Sequence, residues 1–119
     1  MPDVSVLLVE SDPLLRRSTA RNLRAHGYRV IACGTAVGAM SEEPADVGVI
    51  GLKLAGTNGV ALATQLLADK RIGYAVFLTA TDDHVLLARA ARVGVVIDPR
   101  LGPAALREAL PRSAGGTKP

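Results

Sequence analysis

The stretch DVGVIGLKLAGTNGV, from Asp46 to Val60, places a short apolar run directly before a glycine-rich loop. The run from Val47 to Ile50 predicts a strand, because continuous apolar residues suit a strand that is covered on both faces of a parallel sheet. The strand meets the loop at Gly51, at the sheet edge where α/β proteins usually place their chemistry. Gly51 has no side chain and brings no functional group to that position. The rest of the sequence is needed to interpret this absence.

The composition indicates one small domain with an aliphatic core. The chain has 119 residues, of which 49% are hydrophobic and only 3% are aromatic, so the core is expected to consist of Val, Leu, Ile and Ala. A formal charge of +3 is compatible with nucleic-acid contact. The low aromatic content argues against such contact, because it removes the platforms on which bases stack.

The remaining bulk features favour a soluble, cytoplasmic protein without membrane contact. A single cysteine, Cys33, offers neither a disulfide framework nor a zinc cluster. The N-terminus lacks a signal-peptide pattern, and no apolar run approaches the ~20 residues that span a bilayer. We expect the domain to occupy residues 1–112. The closing segment SAGGTKP, residues 113–119, has no apolar pattern and predicts a disordered tail or a linker.

Strand patterns and helix patterns alternate five times along the chain. Strands are predicted at residues 4–9, 28–33, 47–50, 74–78 and 95–97, and the helices that follow them begin near residues 13, 35, 59, 85 and 103. Such alternation predicts a parallel sheet with helices on both faces, wound right-handed. The expected fold is therefore a doubly wound (βα)5 domain with a five-stranded parallel sheet in the order 2-1-3-4-5.

The first helix carries the clearest local signals. Asp12 suits the N-cap, Pro13 suits the first helical position, and Gly27 predicts the C-terminal end. Leu15, Thr19 and Leu23 recur every four residues and are expected to face the core. Another side of the helix carries Arg17, Arg21 and Arg24. We expect this side to be a solvated face, with a second interaction surface as the alternative.

Two enzyme-like interpretations of the chain find little support. The glycine-rich segments GTAVGA and GLKLAGTNG fit neither GxGxxG after the first strand nor a phosphate-binding GxxxxGK[ST] loop, so turns explain these glycines better. No G-x-S-x-G nucleophile elbow is present. His26 and His84 lie near helix ends, where they are expected to face solvent rather than to act in catalysis.

A metal site at the sheet edge is the third interpretation. Glu10 and Asp12, with Asp98, could converge there, and Mg²⁺ binds one or two carboxylates together with waters. We favour the simpler alternative, in which Asp12 only caps the first helix, Glu10 is solvated, and Asp98 begins a loop. No metal and no cofactor is therefore predicted.

The combined order of these segments resembles the receiver domain of bacterial two-component response regulators. LLVESDPLLRR is similar to the first strand and its acidic turn, GLKLAGTNG to the loop after the third strand, FLTA to the end of the fourth strand, and IDP to the Lys-Pro segment after the fifth. The resemblance runs from Val4 to about Pro111. It implies the flavodoxin-like form of the doubly wound fold and a role in signal transduction, without enzymatic activity.

The resemblance also implies five groups at the sheet edge. Two acids hold Mg²⁺, an Asp after the third strand accepts a phosphoryl group from a histidine kinase, a Thr or Ser contacts the phosphoryl oxygens, and a Lys neutralises the charge. The corresponding residues of this chain are Glu10, Ser11, Gly51, Thr79 and Asp98.

Most of these positions depart from the pattern. Gly51 offers no carboxylate for an acyl phosphate, and no Asp or Glu lies between Asp46 and Asp69 to replace it. Asp98, in place of the Lys, would repel an incoming dianion at close range. Val95 stands where an aromatic residue often reports the switched state. We expect Gly51 to leave a space that water fills, and the bond between Asp98 and Pro99 is a candidate cis peptide.

These departures predict a pseudo-receiver, a phosphorylation-independent module for protein–protein interaction. The resemblance implies that helix 4, strand 5 and helix 5 form its contact face for a signalling protein, an output domain or a second copy in a homodimer. The predicted members of that face are Leu86, Leu87, Arg89, Val93, Arg100, Leu106 and Arg107. The leucines of helix 4 could equally belong to the core.

Two alternatives stay open. The chain could be the N-terminal regulatory domain of a longer transcription regulator or hybrid kinase. It could also be a receiver with non-standard phosphorylation, for which Ser11 and Thr79 are the available nucleophiles at the sheet edge, although no base is evident to activate Ser11.

Overall fold

Strands and helices alternate along residues 4–111, the part of the chain that this computed structural model describes. In chain order the elements are β1 (Ser5–Val9), α1 (Pro13–Ala25), β2 (Arg29–Cys33), α2 (Ala36–Met40), β3 (Val47–Gly51), β4 (Lys53–Leu54), β5 (Thr57–Asn58), α3 (Gly59–Ala68), β6 (Tyr74–Leu78), α4 (His84–Val93), β7 (Val95–Ile97), a 3-10 helix (Pro99–Leu101) and α5 (Pro103–Ala109). The predicted tail, residues 113–119, lies outside the described residues.

The main sheet is parallel and runs in the order β2-β1-β3-β6-β7. The predicted order 2-1-3-4-5 is confirmed, because β6 and β7 are the fourth and fifth strands of this sheet. All five residues of β3 are buried. Alternate side chains supply two core clusters, one containing Leu7 and Phe77 and the other containing Leu8 and Val76. Helices on both faces therefore explain why the strands read as continuous apolar runs.

Side-chain caps fix the starts of α1, α2, α3 and α4, whereas α5 begins after Gly102 without one. The Asp12 carboxylate accepts a hydrogen bond from the backbone N–H of Leu14 at 2.9 Å, so the predicted cap of α1 is confirmed. Gly27 follows the end of that helix with φ of 93°, a left-handed conformation that favours glycine. The second helix ends at Met40, four residues before Pro44, which disfavours helical backbone at the residue that precedes it.

The loop predicted after β3 is a small antiparallel hairpin, β4 and β5, in which Lys53 pairs with Asn58 and Leu54 with Thr57. The hairpin returns tightly against the end of β3. A Cβ atom on Gly59 would collide with the backbone carbonyl oxygen of Gly51, so only glycine allows this approach. The hairpin thus fixes the backbone on the loop side of Gly51.

Within residues 4–111, β2 and β7 are the outer strands of the sheet, and each pairs with one neighbouring strand. On β2, one guanidinium nitrogen of Arg24, Nη2, donates a hydrogen bond to the carbonyl oxygen of Val30 at 2.8 Å. Arg24 therefore covers part of an edge that could otherwise pair with another strand. The other members of the arginine face, Arg17 and Arg21, are exposed. None of the described helices has the length and apolar character that a membrane span needs.

Tyr74 connects the sheet to the last helix. Its hydroxyl donates a hydrogen bond to the carbonyl oxygen of Ala109 at 3.0 Å. Burial, and secondarily the nearby Tyr28, raise the pKa of Tyr74 from 10.0 to about 12. The folded state therefore holds the phenol proton more tightly than the unfolded state does.

This pKa predicts a loss of stability in alkaline solution. The contribution of neutral Tyr74 is fully present below pH 10 and is lost as the pH rises from 10 through 12. Tyr74→Phe should lower the melting temperature at neutral pH by roughly 3–6 °C, because it removes the hydrogen bond to Ala109. The variant should then lose less stability than the wild type between pH 10 and 12. Thermal melts across this range test the expectation, and parallel slopes for the two proteins would contradict it.

Candidate functional site

A cavity of about 290 Å³ opens at the carboxyl ends of β1, β3 and β6. These three strands are neighbours in the sheet, so the residues that follow them meet at one edge. The residues that line the cavity are Glu10, Asp12, Leu15, Gly51, Leu52, Lys53, Leu78, Thr79, Ala80, Thr81 and Pro99. Of the five predicted pocket residues, the structure brings Glu10, Gly51 and Thr79 together at this cavity.

Glu10 is buried, with 8% of its surface exposed, so the expectation that it is solvated is wrong. Its side-chain oxygen Oε2 accepts a hydrogen bond from the backbone N–H of Asp12 at 3.0 Å. Its backbone is held on both sides, since its N–H donates to Cys33 O at 3.0 Å and its carbonyl oxygen accepts from Arg16 Nη1 at 2.7 Å. These bonds fix the backbone of Glu10, and its carboxylate points inward, toward Gly51.

The space beside Gly51 is taken by this same carboxylate. An ideal Cβ atom built on Gly51 would lie 2.7 Å from Glu10 Oε1 and 3.3 Å from Glu10 Cδ. The ideal Cβ position is therefore already occupied by Glu10, whereas the cavity beside Gly51 is open, and the expectation that water fills it stays a prediction. The longer side chain of Glu10, one methylene more than Asp, reaches the place that a side chain at residue 51 would need.

Thr79 follows β6 and is half-buried. Its backbone N–H donates to Ile97 O at 3.0 Å, and its hydroxyl oxygen Oγ1 accepts a hydrogen bond from Thr81 N at 3.2 Å. The first bond ties the end of β6 to β7, and the second shapes the turn that leads toward α4. Through these two hydrogen bonds Thr79 has a structural role at the cavity, whether or not it also contacts a ligand.

Ser11 lies outside the cavity, and its exposed hydroxyl approaches the carbonyl oxygen of Lys53 at 3.4 Å. Lys53, which the sequence analysis did not single out, lines the cavity from the hairpin. It is the one cationic residue among the lining side chains. Lys53 stands two residues after the end of β3, and this position in the sequence could have indicated that it lines the cavity.

Asp98 does not line the cavity, and Pro99 does. The Asp98 carboxylate forms an ion pair with Arg100, in which Nη2 and Oδ2 are 2.7 Å apart, and also accepts from the Arg100 backbone N–H at 2.9 Å. These hydrogen bonds lower the pKa of Asp98 and keep it ionised. Its charge is therefore offset by Arg100, and the close repulsion expected inside the cavity does not follow from this geometry.

The candidate cis peptide before Pro99 is also wrong, because every described peptide bond is trans. Asp98 has extended backbone angles, and its side chain caps the 3-10 helix, with Pro99 in the first helical turn. A trans bond suits this arrangement, since proline is well accommodated at a helix start.

The carboxylates do not gather into a metal centre. Within residues 4–111, no group of three or more His, Cys, Asp or Glu side chains is placed to hold a metal ion. Glu10 and Asp12 both line the cavity, whereas Asp98 does not join them. Asp12 is already engaged, because Oδ1 of its carboxylate caps α1.

The residues predicted for the contact face divide into two sets. The first set belongs to the core: Leu106 is buried, and partly buried side chains pack against the core at Leu86, Leu87 and Val93. The alternative that the helix 4 leucines are core residues is thus the better one. Arg107 also turns inward, and its Nη1 donates to Asn22 Oδ1 on α1 at 2.6 Å.

The second set is exposed and consists of Arg89 and Arg100. The same elements also expose apolar side chains that the sequence analysis did not assign to this face. Val85 begins α4 and Leu101 ends the 3-10 helix, and both are largely exposed. Val95, on the outer strand β7, is 46% exposed. The face is therefore smaller and more peripheral than predicted.

Sequence comparison finds no match, either to a protein-family model or to a curated protein. Solved structures do match. The signal receiver domain of modulated diguanylate cyclase from Desulfovibrio desulfuricans G20 has a TM-score of 0.80 at 24% identity, over 90% of each chain. A response regulator receiver domain protein (CheY-like) from Methanospirillum hungatei JF-1 has a TM-score of 0.80 at 20% identity, over 89% of each chain.

A third structure, the response regulator protein TrrA from Thermotoga maritima in complex with Mg²⁺-BeF, has a TM-score of 0.78 at 17% identity. It covers 91% of this chain and 95% of its own. The three proteins share one architecture, a five-stranded parallel sheet between helices, with the chain described above. The chain therefore has the fold of a response-regulator receiver domain.

Proposed function

We propose that this domain is a signal-transduction module that uses the receiver fold without phosphorylation, through contacts with another protein. The observation that carries the proposal is Gly51 at the end of β3, where the cavity lies and where no side chain is present. Phosphoryl transfer to a receiver needs a nucleophilic carboxylate at that position. The partner we propose is a signalling protein, an output domain or a second copy of the chain.

The neighbouring carboxylates do not replace the missing one. Glu10 accepts a hydrogen bond from the Asp12 backbone, and Asp12 caps α1, so each is engaged in holding the β1–α1 turn. The residue that follows β7 is Asp98, whose charge pairs with Arg100. Lys53 is the cation that remains at the cavity. This arrangement of charges supports the proposal that the cavity does not hold a phosphoryl group.

Phosphorylation at a hydroxyl is the second candidate, and the geometry favours it less. Ser11 is exposed and approaches only the carbonyl oxygen of Lys53. The hydroxyl of Thr79 accepts from the Thr81 backbone. A hydroxyl nucleophile needs an adjacent base, and neither His26 nor His84 lines the cavity. We therefore propose no enzymatic activity for the domain.

Similar structures suggest how such a domain is used. One neighbour is the receiver domain of a modulated diguanylate cyclase, and another is described as an adenylate cyclase from Rhodopirellula baltica. A regulatory role beside an output domain, as in a longer transcription regulator or hybrid kinase, is compatible with this fold.

The contact face that we propose lies along α4 and β7. Val85 and Val95 expose apolar surface there, Arg89 adds charge, and β7 is an outer strand of the sheet that residues 4–111 form. Apolar and arginine side chains together are typical of protein interfaces. A second copy of the chain is the simplest occupant, because a twofold contact pairs like with like.

The absence of a phosphoacceptor predicts no reaction with a phosphoryl donor. After incubation with acetyl phosphate and Mg²⁺, the intact mass of the protein should be unchanged, since no residue accepts the phosphoryl group as acetate leaves. A persistent mass increase of one phosphoryl group would sink the proposal. Ser11→Ala and Thr79→Ala variants would then locate the adduct, and loss of the adduct in hydroxylamine would mark it as an acyl phosphate.

The proposed face predicts a self-association that depends on Val95. Sedimentation over a concentration series should show a dimer for the wild type, and Val95→Glu should weaken it at least about tenfold by placing a charge in an apolar contact. The matched control is Val37→Glu, because Val37 is an exposed valine of α2, 82% exposed. A monomer at every concentration, or an equal effect of the control, would exclude this dimer.

A further inference from the structure

A second cavity, of about 260 Å³, lies between α1 and α5, and none of the five predicted pocket residues lines it. Its apolar wall includes Leu78 at the end of β6 and Leu106 of α5. The opposite wall is one side of α1, which carries polar side chains, and its members are Leu15, Ser18, Thr19 and Asn22. An apolar wall that faces a few polar groups is the usual composition of a small-molecule site.

Thr19 presents a hydroxyl group without a partner to this cavity. Its surface is only 9% exposed, and its hydroxyl forms no hydrogen bond within residues 4–111. Among the described residues, Arg71 Nε is the only side-chain nitrogen or oxygen that is both unpartnered and fully enclosed. The Thr19 hydroxyl is therefore not sealed inside the core, and the cavity that Thr19 lines is the space it faces. A buried hydroxyl gains stability when a hydrogen-bonding group enters that space.

The neighbouring polar groups decide which chemistry suits the cavity. Asn22 Oδ1 accepts a hydrogen bond from Arg107 Nη1 at 2.6 Å, so the amide group that remains for a ligand is the donor Nδ2. The Ser18 hydroxyl is engaged with the carbonyl oxygen of Leu15 at 3.2 Å. No charged residue lines the cavity, and the Arg107 cation contacts its wall through Asn22. Two free donors beside a cation favour a ligand group that accepts hydrogen bonds and carries negative charge.

We propose that the cavity between α1 and α5 binds a small carboxylate molecule. Its apolar body packs against Leu78 and Leu106, and its carboxylate accepts hydrogen bonds from Thr19 and Asn22.

The length of the cavity favours a small molecule over a protein segment. Residues 15–22 extend over roughly 10 Å of α1, because each helical residue adds about 1.5 Å. The hydrogen bond from Arg107 to Asn22 joins α5 to α1 at one end, so a helix or an extended chain cannot continue along the groove. This binding needs no phosphoacceptor, and it stands beside the proposed protein contacts without depending on them.

Hexanoate is the probe, and hexylammonium is its matched control, because it has the same chain and a cationic donor as its head group. Titration of hexanoate into the isotope-labelled full chain should shift the backbone amide resonances of residues 15–22, 78–79 and 104–107. The shifts should saturate with a dissociation constant of about 1 mM or below. Hexylammonium should bind at least about tenfold more weakly. The absence of saturable shifts with hexanoate, or equal binding of the two probes, would overturn the inference.

Thr19→Val tests the hydroxyl, since valine keeps the shape of threonine and removes the oxygen. The variant should bind hexanoate roughly tenfold more weakly, because a hydrogen bond to a charged group is lost. Its melting temperature should be unchanged or higher, because this hydroxyl has no partner within residues 4–111. A lower melting temperature would show that the hydroxyl is satisfied within the protein, against the inference.

Thr64→Val is the control variant, because the Thr64 hydroxyl donates to the carbonyl oxygen of Val60 at 2.8 Å within α3, away from the cavity. It should leave hexanoate binding unchanged, and an equal loss in both variants would contradict a role for Thr19. If hexanoate does not bind and Thr19→Val instead weakens the dimer measured by sedimentation, the cavity belongs to a protein contact and the inference is wrong.

Discussion

The backbone of Gly51 is enclosed on two sides, and the arrangement of the cavity depends on this enclosure. On the loop side, Gly59 approaches the Gly51 carbonyl so closely that a methyl group at residue 59 would not fit. On the cavity side, the Glu10 carboxylate lies against the position of the absent Cβ. The hairpin sets the first contact, and the anchored β1–α1 turn sets the second. A side chain at residue 51 would disturb both the turn and the cavity together.

Local chemistry explains why much of the fold was predictable. An Asp before Pro13, the glycine at residue 27 and the apolar strands act over a few residues, and each predicted the element that formed. The parallel order of the sheet followed from alternation alone, since right-handed crossovers leave few other arrangements. The hairpin after β3 was missed because two-residue strands have almost no periodicity.

Contacts between distant residues explain what the sequence could not predict. Glu10 looked solvated because a charged residue after a strand usually is, and its burial depends on backbone bonds to Cys33 and Arg16. Leu106 looked like surface, yet it packs in the core cluster of β1 and β6. Asp98 is different, because its partner Arg100 is only two residues away. The sequence alone could have indicated this ion pair. Considering it would have led us to expect the Asp98 charge outside the cavity.

The residues that still match the receiver pattern have reasons to remain that do not involve phosphate. The hydroxyl oxygen of Thr79 supports the following turn by accepting a hydrogen bond from the backbone N–H of Thr81. Glu10 accepts the Asp12 N–H and fills the room beside Gly51. Replacing either side chain would remove an acceptor for a backbone N–H, that of Asp12 or of Thr81, even in a domain that never meets a phosphoryl donor. The presence of a matching Thr or acid at such a cavity is therefore weak evidence for the chemistry. The group that lies beside residue 51 is the stronger criterion, and here it is the carboxylate of Glu10, the residue that follows β1.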